Sequence, residues 1–93
     1  MLFVIYCLDK PDQLELRMQN REDHLAYAKA TKSIKFAGPM LEGDVETMIG
    51  SLIVLEAESL AEAQAWSEND PYRKAGVFQS VEVRPWKWLL GNG

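Results

Sequence analysis

Apolar and β-branched residues are gathered in four short runs, and each run predicts a β-strand. The runs at residues 2–8 (LFVIYCL) and 49–57 (IGSLIVLEA) are apolar at successive positions, which is typical of strands covered on both faces. The runs at residues 33–40 (SIKFAGPM) and 77–86 (VFQSVEVRPW) predict the other two strands. The chain therefore has enough strand-forming segments for a four-stranded sheet.

A long helix is predicted over residues 12–32, because apolar positions recur there at helical spacing. The stripe expected to face the core consists of Leu14, Met18, Leu25 and Ala28. Asp12 and Glu15 have the spacing of a capping box, which indicates that the helix begins at this point.

A second helix is predicted between the third and fourth strands. Ser59 and Glu62 form a clear capping box, and the helix that it opens extends to about residue 69. The pair Asp70-Pro71 then begins a short turn, which Gly76 ends.

The predicted order of elements is β-α-β-β-α-β, which is the pattern of the ferredoxin-like α+β fold. Four antiparallel strands then carry both helices on one face. The other face would be bare in a monomer, and since the strands are apolar on both sides we expect it to meet another subunit. We predict a homodimer of a single domain over residues 1–93, with its core at 2–86 and a C-terminal tail at 87–93.

Composition excludes several classes of protein. The 93 residues carry a formal net charge of −4 and no basic stripe, so nucleic acid is not expected as a partner. The longest apolar run is too short to span a membrane and lacks the flanks of a signal peptide. The single Cys7 cannot form an intramolecular disulfide or a Cys-based metal cluster. These features predict a soluble cytoplasmic protein with no membrane contact.

The only histidine, His24, is the strongest candidate for chemistry, because an imidazole can serve as general acid or base near neutral pH. Arg17 and Arg21 precede it by seven and three residues, so all three lie on one side of the predicted helix, at the border of the apolar stripe. Cations there would favour the neutral imidazole and hold an anionic ligand. Alternatively, His24 is an ordinary surface residue, and the arginines pair with Glu15, Glu22 or other surface carboxylates.

Asp70 is the second candidate. A carboxylate that reached His24 would hold the imidazole in one tautomer, as in a His–Asp dyad. The position of Asp70 before Pro71 also fits an ordinary helix N-cap. The sequence leaves both roles open, because it does not show whether the carboxylate reaches the ring.

Four residues on or near the predicted strands could shape a ligand pocket: Tyr6, Gly38, Pro39 and Ser51. The hydroxyl groups of Tyr6 and Ser51 could point at a ligand or bond to neighbouring backbone. The pair Gly38-Pro39 could narrow the mouth of a pocket or simply form a turn. All four are therefore candidates for ligand binding.

The motifs of cofactor binding and covalent catalysis are missing from the sequence. There is no Gly-rich phosphate loop, dinucleotide fingerprint, zinc-ligand spacing or nucleophile motif. One histidine does not make a His-based metal site unaided. Asp9 and Asp12 are interpreted as turn and capping residues and Cys7 as a core residue. We therefore expect no metal and no cofactor, and any chemistry is expected to be acid–base chemistry.

A set of short motifs resembles the YCII-related family, the YciI-like proteins, from about residue 2 to residue 86. The motifs are R-x-x-H-L at 21–25, A-G-P at 37–39, G-S at 50–51, D-P-Y at 70–72, A-G at 75–76 and R-P-W at 84–86. Each motif is weak by itself, but their order and spacing together are specific.

The resemblance implies a ferredoxin-like fold that dimerises as an α+β barrel, with an active site around a histidine and an aspartate. By that match His24 would be the base and Asp70 its acid partner. Relatives include a dehydrochlorinase of a chlorinated hydroxyquinone, and muconolactone isomerases and small monooxygenases are related by fold.

The residues and the resemblance together predict a cofactor-independent enzyme. Neutral His24 would take a proton from a small anionic or phenolic molecule, Asp70 would orient the ring, and Arg17 and Arg21 would bind the negative charge. Elimination, isomerisation and hydrolysis all fit this description. The alternatives are a non-catalytic module that binds a metabolite in the same pocket, and an accessory scaffold.

Overall fold

The computed structural model describes residues 1–91 of the chain. Along the chain its elements are β1 (Leu2–Asp9), α1 (Leu14–Gln19), α2 (Arg21–Thr31), β2 (Ile34–Leu41), β3 (Met48–Glu56), α3 (Leu60–Glu68), α4 (Pro71–Lys74) and β4 (Phe78–Trp86). All four predicted strands are present. The helical segments differ from the prediction in two places, because the first helix is divided and the turn after α3 contains a helical turn.

The strands form one antiparallel sheet in the order β2-β3-β1-β4, so β1 and β3 are central. Gly50 lies opposite Leu8, and a Cβ atom on it would be 2.3 Å from the carbonyl oxygen of Cys7. Only glycine fits this close pairing of β1 with β3. The element order and the sheet confirm an α+β, ferredoxin-like architecture.

One face of the sheet, here called the helix-covered face, carries the hydrophobic core. Alternate residues of β1 point to it, and Phe3, Ile5 and Cys7 are each no more than 1 % exposed. Ile53 of β3 lies among them, and Trp66 of α3 packs against the same cluster. All four helices lie on this side, because α1 and α2 contribute Leu16 and Tyr27, and α4 contributes Tyr72.

The other face, here called the open face, has no helix among residues 1–91. Large apolar side chains on it are exposed, including Tyr6 at 41 %, Leu52 at 39 % and Phe36 at 41 %. Val54 is the buried member of this face, at 2 %. The strands are therefore apolar on both sides, as the unbroken apolar runs predicted.

The predicted helix over residues 12–32 is broken at Asn20, which joins α1 to α2. The Asn20 side chain donates to the carbonyl oxygen of Leu16 at 2.9 Å, a local bond that competes with a continuous helix. The predicted capping box at Asp12 is wrong. Asp12 has a left-handed φ of 61°, and the helix begins after Gln13 without a side-chain cap.

The predicted apolar stripe of this segment is also wrong. Leu14, Met18 and Leu25 are 43 %, 47 % and 39 % exposed, and Leu16 and Tyr27 pack against the core instead. Leu16 and Tyr27 are eleven residues apart, so they lie on the same side of a helical segment. The predicted stripe was therefore placed on the wrong side, and the side that faces the core includes Arg17.

The helix starts and stops of the second half follow the prediction. Ser59 caps α3 and accepts from the Glu62 backbone N–H at 3.2 Å. Asp70 caps α4, with Pro71 in its first turn. Gly76 follows α4 with a φ of +85°, a conformation that glycine adopts without steric cost.

The C-terminal tail docks only in part. The Trp88 ring packs edge-on against Phe36, with ring centroids 5.1 Å apart. Leu89 and Leu90 are 76 % and 89 % exposed. The last two residues of the predicted tail lie outside the described range. In the described part of the chain no helix is long and apolar enough to cross a membrane.

Candidate active site

His24 and Asp70 come from distant parts of the chain and meet at the edge of the core. His24 lies in the first turns of α2, and Asp70 is the N-cap of α4. The imidazole Nδ1 is 2.8 Å from Oδ1 of Asp70, and the two side chains are 13 % and 3 % exposed. The Asp70 carboxylate also accepts from the Tyr72 backbone N–H at 3.0 Å. Asp70 therefore serves as a helix cap and as the partner of His24 at once.

This contact defines the tautomer of the neutral ring. An ionised carboxylate only accepts hydrogen bonds, so Nδ1 of His24 must carry the proton that it donates to Asp70. The other nitrogen, Nε2, is then left with a lone pair. A histidine held in this way can accept a proton at Nε2 while the carboxylate stabilises the imidazolium that forms.

The ring of Tyr72 packs against the face of the His24 imidazole. Its ring is stacked on His24 with centroids 4.1 Å apart and an angle of 12° between the planes. On the same phenol ring, the guanidinium carbon of Arg17 lies 4.6 Å from the centroid. Burial raises the pKa of the Tyr72 phenol, and the charges of Arg17 and Arg21 oppose that shift. The phenol therefore stays protonated at neutral pH.

Arg17 is buried and belongs to a polar network at the end of β1. Its Nε donates to Asp9 Oδ2 at 2.9 Å, and its Nη2 donates to Asp9 Oδ1 at 3.3 Å and to Ser51 Oγ at 2.6 Å. The side chains of Arg17 and Asp9 are only 3 % and 5 % exposed. The sequence offered surface carboxylates such as Glu15 as partners of Arg17, whereas the structure pairs it with Asp9.

A cavity of about 170 Å³ opens beside these residues. Its walls come from α1, α2, β2, β3 and α4: Arg17, Arg21, His24, Leu25, Ala37, Gly38, Pro39, Met48, Ser51, Ile53 and Tyr72. Six of the eight site residues proposed from the sequence thus line one cavity, and Asp70 lies directly behind His24. The walls combine apolar side chains with the charged groups of α1 and α2.

Tyr6 is the one proposed site residue that the structure keeps away from the cavity. Side chains alternate along a strand, so Tyr6 lies on the open face while Ile5 and Cys7 face the helices. Its cross-strand neighbours are Leu52 and Glu82 on that same face. The proposed contact between the Tyr6 hydroxyl and a ligand of this cavity is therefore wrong.

Two residues of the site were missed by sequence reasoning. Asp9 was interpreted as a turn residue, although it continues the alternation of Phe3, Ile5 and Cys7 and could have been placed on the helix-covered face. Tyr72 was part of the D-P-Y motif but received no role. Its stacking on His24 depends on how α2 packs against α4, which no local pattern reveals.

Cys7 lies in the core near this network and is not a reactive group. Burial, with a smaller contribution from the charge of Asp70, raises the pKa of the Cys7 thiol to about 12. The thiolate needed for nucleophilic attack is therefore scarce at neutral pH. Among residues 1–91 no group of three or more His, Cys, Asp or Glu side chains is arranged to hold a metal ion.

Comparison with known proteins identifies the family. The model of the YCII-related domain matches residues 1–87. The proteins named YciI from Escherichia coli O6:H1 and Shigella flexneri are each 42 % identical, over 94 % of this chain and 97 % of theirs. An uncharacterised protein from Haemophilus influenzae is 38 % identical with the same coverage.

A solved structure shares both the fold and much of the sequence. It is 5-chloro-2-hydroxyhydroquinone dehydrochlorinase (TftG) from Burkholderia phenoliruptrix AC1100 in complex with 2,5-dihydroxybenzoquinone. The two chains are 41 % identical, the alignment covers 94 % of each, and the TM-score is 0.86. These matches confirm the resemblance seen in the sequence motifs: the chain belongs to the YCII-related family.

Proposed function

We propose that this chain is a small-molecule enzyme in which His24 and Asp70 carry out acid–base chemistry without a cofactor. The observation that supports the proposal is the 2.8 Å contact between His24 Nδ1 and Asp70 Oδ1 in the wall of a cavity. A paired imidazole that is only 13 % exposed and borders a cavity is well suited to proton transfer.

In the proposed mechanism, Nε2 of neutral His24 takes a proton from the bound molecule. Asp70 holds Nδ1–H during this step and stabilises the imidazolium by its charge. The stacked ring of Tyr72 fixes the plane of the imidazole, so that the lone pair keeps one direction. Arg17 and Arg21 both line the cavity, and Arg21, which is not paired with a carboxylate as Arg17 is with Asp9, favours an anionic or phenolic molecule.

Of the reactions open to such a base, we favour elimination. The solved structure that is 41 % identical to this chain is named a dehydrochlorinase, and its ligand is a dihydroxybenzoquinone. On 5-chloro-2-hydroxyhydroquinone, in the keto tautomer whose chlorine-bearing carbon is saturated, His24 would remove the proton of a ring hydroxyl. That oxygen would become a carbonyl, the ring double bond would shift to the chlorine-bearing carbon, and the carbon–chlorine bond would break with its electron pair leaving as chloride. The products are a hydroxybenzoquinone, one chloride ion and one proton held by His24, so no external oxidant is needed.

The test is chloride release from 5-chloro-2-hydroxyhydroquinone by the purified protein. We expect His24→Asn to lower the rate about 10²–10⁴-fold, the usual contribution of a positioned base. Asp70→Asn keeps a residue that can cap α4 and removes only the charge behind the ring. We expect it to lower the rate while leaving substrate affinity within a few-fold of the parent protein.

Lys29→Gln is the matched control, because Lys29 lies on α2, is exposed and does not line the cavity. We expect it to retain the parental rate. If the quinone binds but no product forms, the protein is a binding module instead. If the protein neither binds the quinone nor releases chloride, and His24→Asn has no measurable effect, the protein is an accessory scaffold and not an enzyme.

We also propose that the open face meets a second copy of the chain, as expected for an α+β barrel dimer. The exposed side chains of Tyr6, Phe36 and Leu52 form the apolar surface that such an interface needs. Sedimentation equilibrium should report a dimer, and Leu52→Lys should shift it towards monomer. Leu14→Lys, at a similarly exposed position on α1, should not. The cytoplasmic location stays a prediction from composition.

A further inference from the structure

The two arginines of the cavity differ in how their charge is balanced. The charge of Arg17 is neutralised within the fold, because its Nε and Nη2 are held by Asp9 and Ser51 in a site that is 3 % exposed. Arg21 is exposed, lines the cavity and takes part in none of the ion pairs found among residues 1–91. Arg21 is therefore the cation whose charge remains available to a ligand.

The two carboxylates near the cavity are hydrogen-bonded to groups other than Arg21. The carboxylate of Asp70 is engaged by His24 and by the Tyr72 N–H, and that of Asp9 is engaged by Arg17. The remaining walls are apolar or small, from Ala37 and Pro39 on β2 to Ile53 on β3. The cavity thus combines an apolar body with Arg21, the cation of its wall that has no carboxylate partner among residues 1–91.

The size of the cavity limits the molecule that fits. Its volume is about 170 Å³. A dry apolar cavity of about 150 Å³ holds one benzene molecule, so there is room for one six-membered ring with small substituents. A fused two-ring molecule exceeds this volume, so its second ring would have to lie outside the cavity.

Arg21, which carries the positive charge, and His24, the proposed base, are close to each other on α2. They are three residues apart on α2, so their Cβ atoms are about 5–6 Å from each other on the same helix face. Since both side chains line the same cavity, a single ring held there by Arg21 also lies beside the imidazole of His24.

We propose that Arg21 is the specificity-determining residue of this cavity, and that it selects single-ring molecules with one negatively charged oxygen group. Arg17 is instead a positioning residue, which holds Tyr72 against His24. This assignment rests on the proposed function for the reaction of the bound molecule, but its binding part can be tested separately.

The test measures the affinity of three rings of similar size and different charge: benzoate, benzamide and benzylammonium. His24 is the only histidine, so its ring resonances report binding at the cavity by NMR without ambiguity. We expect benzoate to bind about tenfold more tightly than benzamide, the usual scale of one charge-assisted hydrogen bond. Benzylammonium should bind most weakly, and the two-ring 1-naphthoate should bind much more weakly than benzoate.

Substitutions at Arg21 separate charge from fold. Arg21→Gln should remove the preference for benzoate over benzamide and leave the benzamide affinity unchanged, and Arg21→Lys should restore most of the preference. Lys29→Gln removes the same charge elsewhere on α2 and should change nothing. The proposal is overturned if benzoate and benzamide bind equally, if Arg21→Gln keeps the preference, if 1-naphthoate binds as well as benzoate, or if none of the rings binds.

These outcomes are distinct from a failure of the proposed enzyme. His24→Asn removes the base but not Arg21, so the ranking by charge should persist in it when binding is measured by calorimetry. A charge ranking without any chloride release would leave Arg21 as the selector of a binding module. Chloride release without a charge ranking would support the enzyme and reject Arg21 as its selector.

Discussion

Both faces of the sheet carry large apolar side chains, but the ion pairs on the two faces differ in their exposure to solvent. On the helix-covered face, the ion pair between Arg17 and Asp9 is 3 % and 5 % exposed. On the open face, the pair between Arg84 and Glu82 is 71 % and 60 % exposed, at 3.4 Å. An arginine–carboxylate ion pair is thus buried on one face and exposed on the other face of the single chain.

This contrast supports placing the proposed chemistry on the helix-covered face. Burying charges costs free energy unless every partner is supplied, and hydrophobic side chains of similar volume would often be at least as stabilising. The helix-covered face nevertheless retains Arg17, Asp9 and Asp70, each of them paired, beside a cavity. A buried charged network at a cavity is a feature of functional sites. The exposed apolar residues of the open face suit association instead.

The largest effect is expected from Arg17→Met, which breaks the buried ion pair of the helix-covered face. It leaves the carboxylate of Asp9 buried without a partner, and breaking a buried pair in this way costs about 3–5 kcal/mol of unfolding free energy. Urea unfolding measures the loss. The double variant Asp9→Asn with Arg17→Met should recover most of it, and a double variant as unstable as the single one would show that the loss comes from packing.

The next effect is a loss of stability at alkaline pH, which arises from Cys7 on the helix-covered face. Burial raises the pKa of Cys7 from 9.0 to about 12. A folded-state pKa above the unfolded one gives stability that is complete below pH 9 and is lost as the pH rises towards 12, on the order of 4 kcal/mol in total.

Cys7→Ala removes this titration and so isolates it from the other groups that titrate at high pH. Urea unfolding at pH 8 to 11 should show a shallower decline for Cys7→Ala than for the parent protein. Parallel declines would mean that the Cys7 thiolate is tolerated in the folded state, which contradicts its burial among apolar neighbours.

Much of the fold could be predicted because each strand corresponds to a local run of apolar and β-branched residues in the sequence. The apolar runs predicted all four strands, and the order of elements was sufficient for the ferredoxin-like topology. The break at Asn20 could not be predicted in the same way, because residues on both sides have ordinary helical periodicity. The positions of Arg17 and Leu14 are a separate error, because Leu16 and Arg17 of α1 face the core where Leu14 and Met18 were expected to.

The site could be predicted only as far as its residue types were unusual. A sole histidine and the D-P-Y motif drew attention to His24 and Asp70, and the structure brings them within hydrogen-bonding distance. Their catalytic role stays a prediction. Asp9 and Tyr72 escaped notice because an aspartate near a turn and a tyrosine near a proline are common. Only the tertiary packing makes them partners of Arg17 and His24.

A smaller effect on stability is expected at two neighbouring residues of β3 that point to opposite faces. Ile53 is 1 % exposed on the helix-covered face and Leu52 is 39 % exposed on the open face. Ile53→Val should lower the unfolding free energy by about 1 kcal/mol, as methylene deletion in a core does. Leu52→Val should cost less than about 0.5 kcal/mol at low protein concentration. A larger cost of Leu52→Val at high concentration would indicate that a second copy covers it.

The smallest effect is expected from Arg84→Met, the counterpart of Arg17→Met on the open face. Both substitutions remove an arginine from an ion pair with a carboxylate, but Glu82 keeps its hydration when Arg84 is lost, because its side chain is 60 % exposed. At protein concentrations low enough to keep the chain monomeric, urea midpoints for Arg84→Met and the parent protein should agree within the scatter of the measurement, at low and at high salt. If Arg84→Met proved as damaging as Arg17→Met, solvent could not be screening this pair. The open face would then have to be covered in solution, with Arg84 and Glu82 inside the interface between two copies.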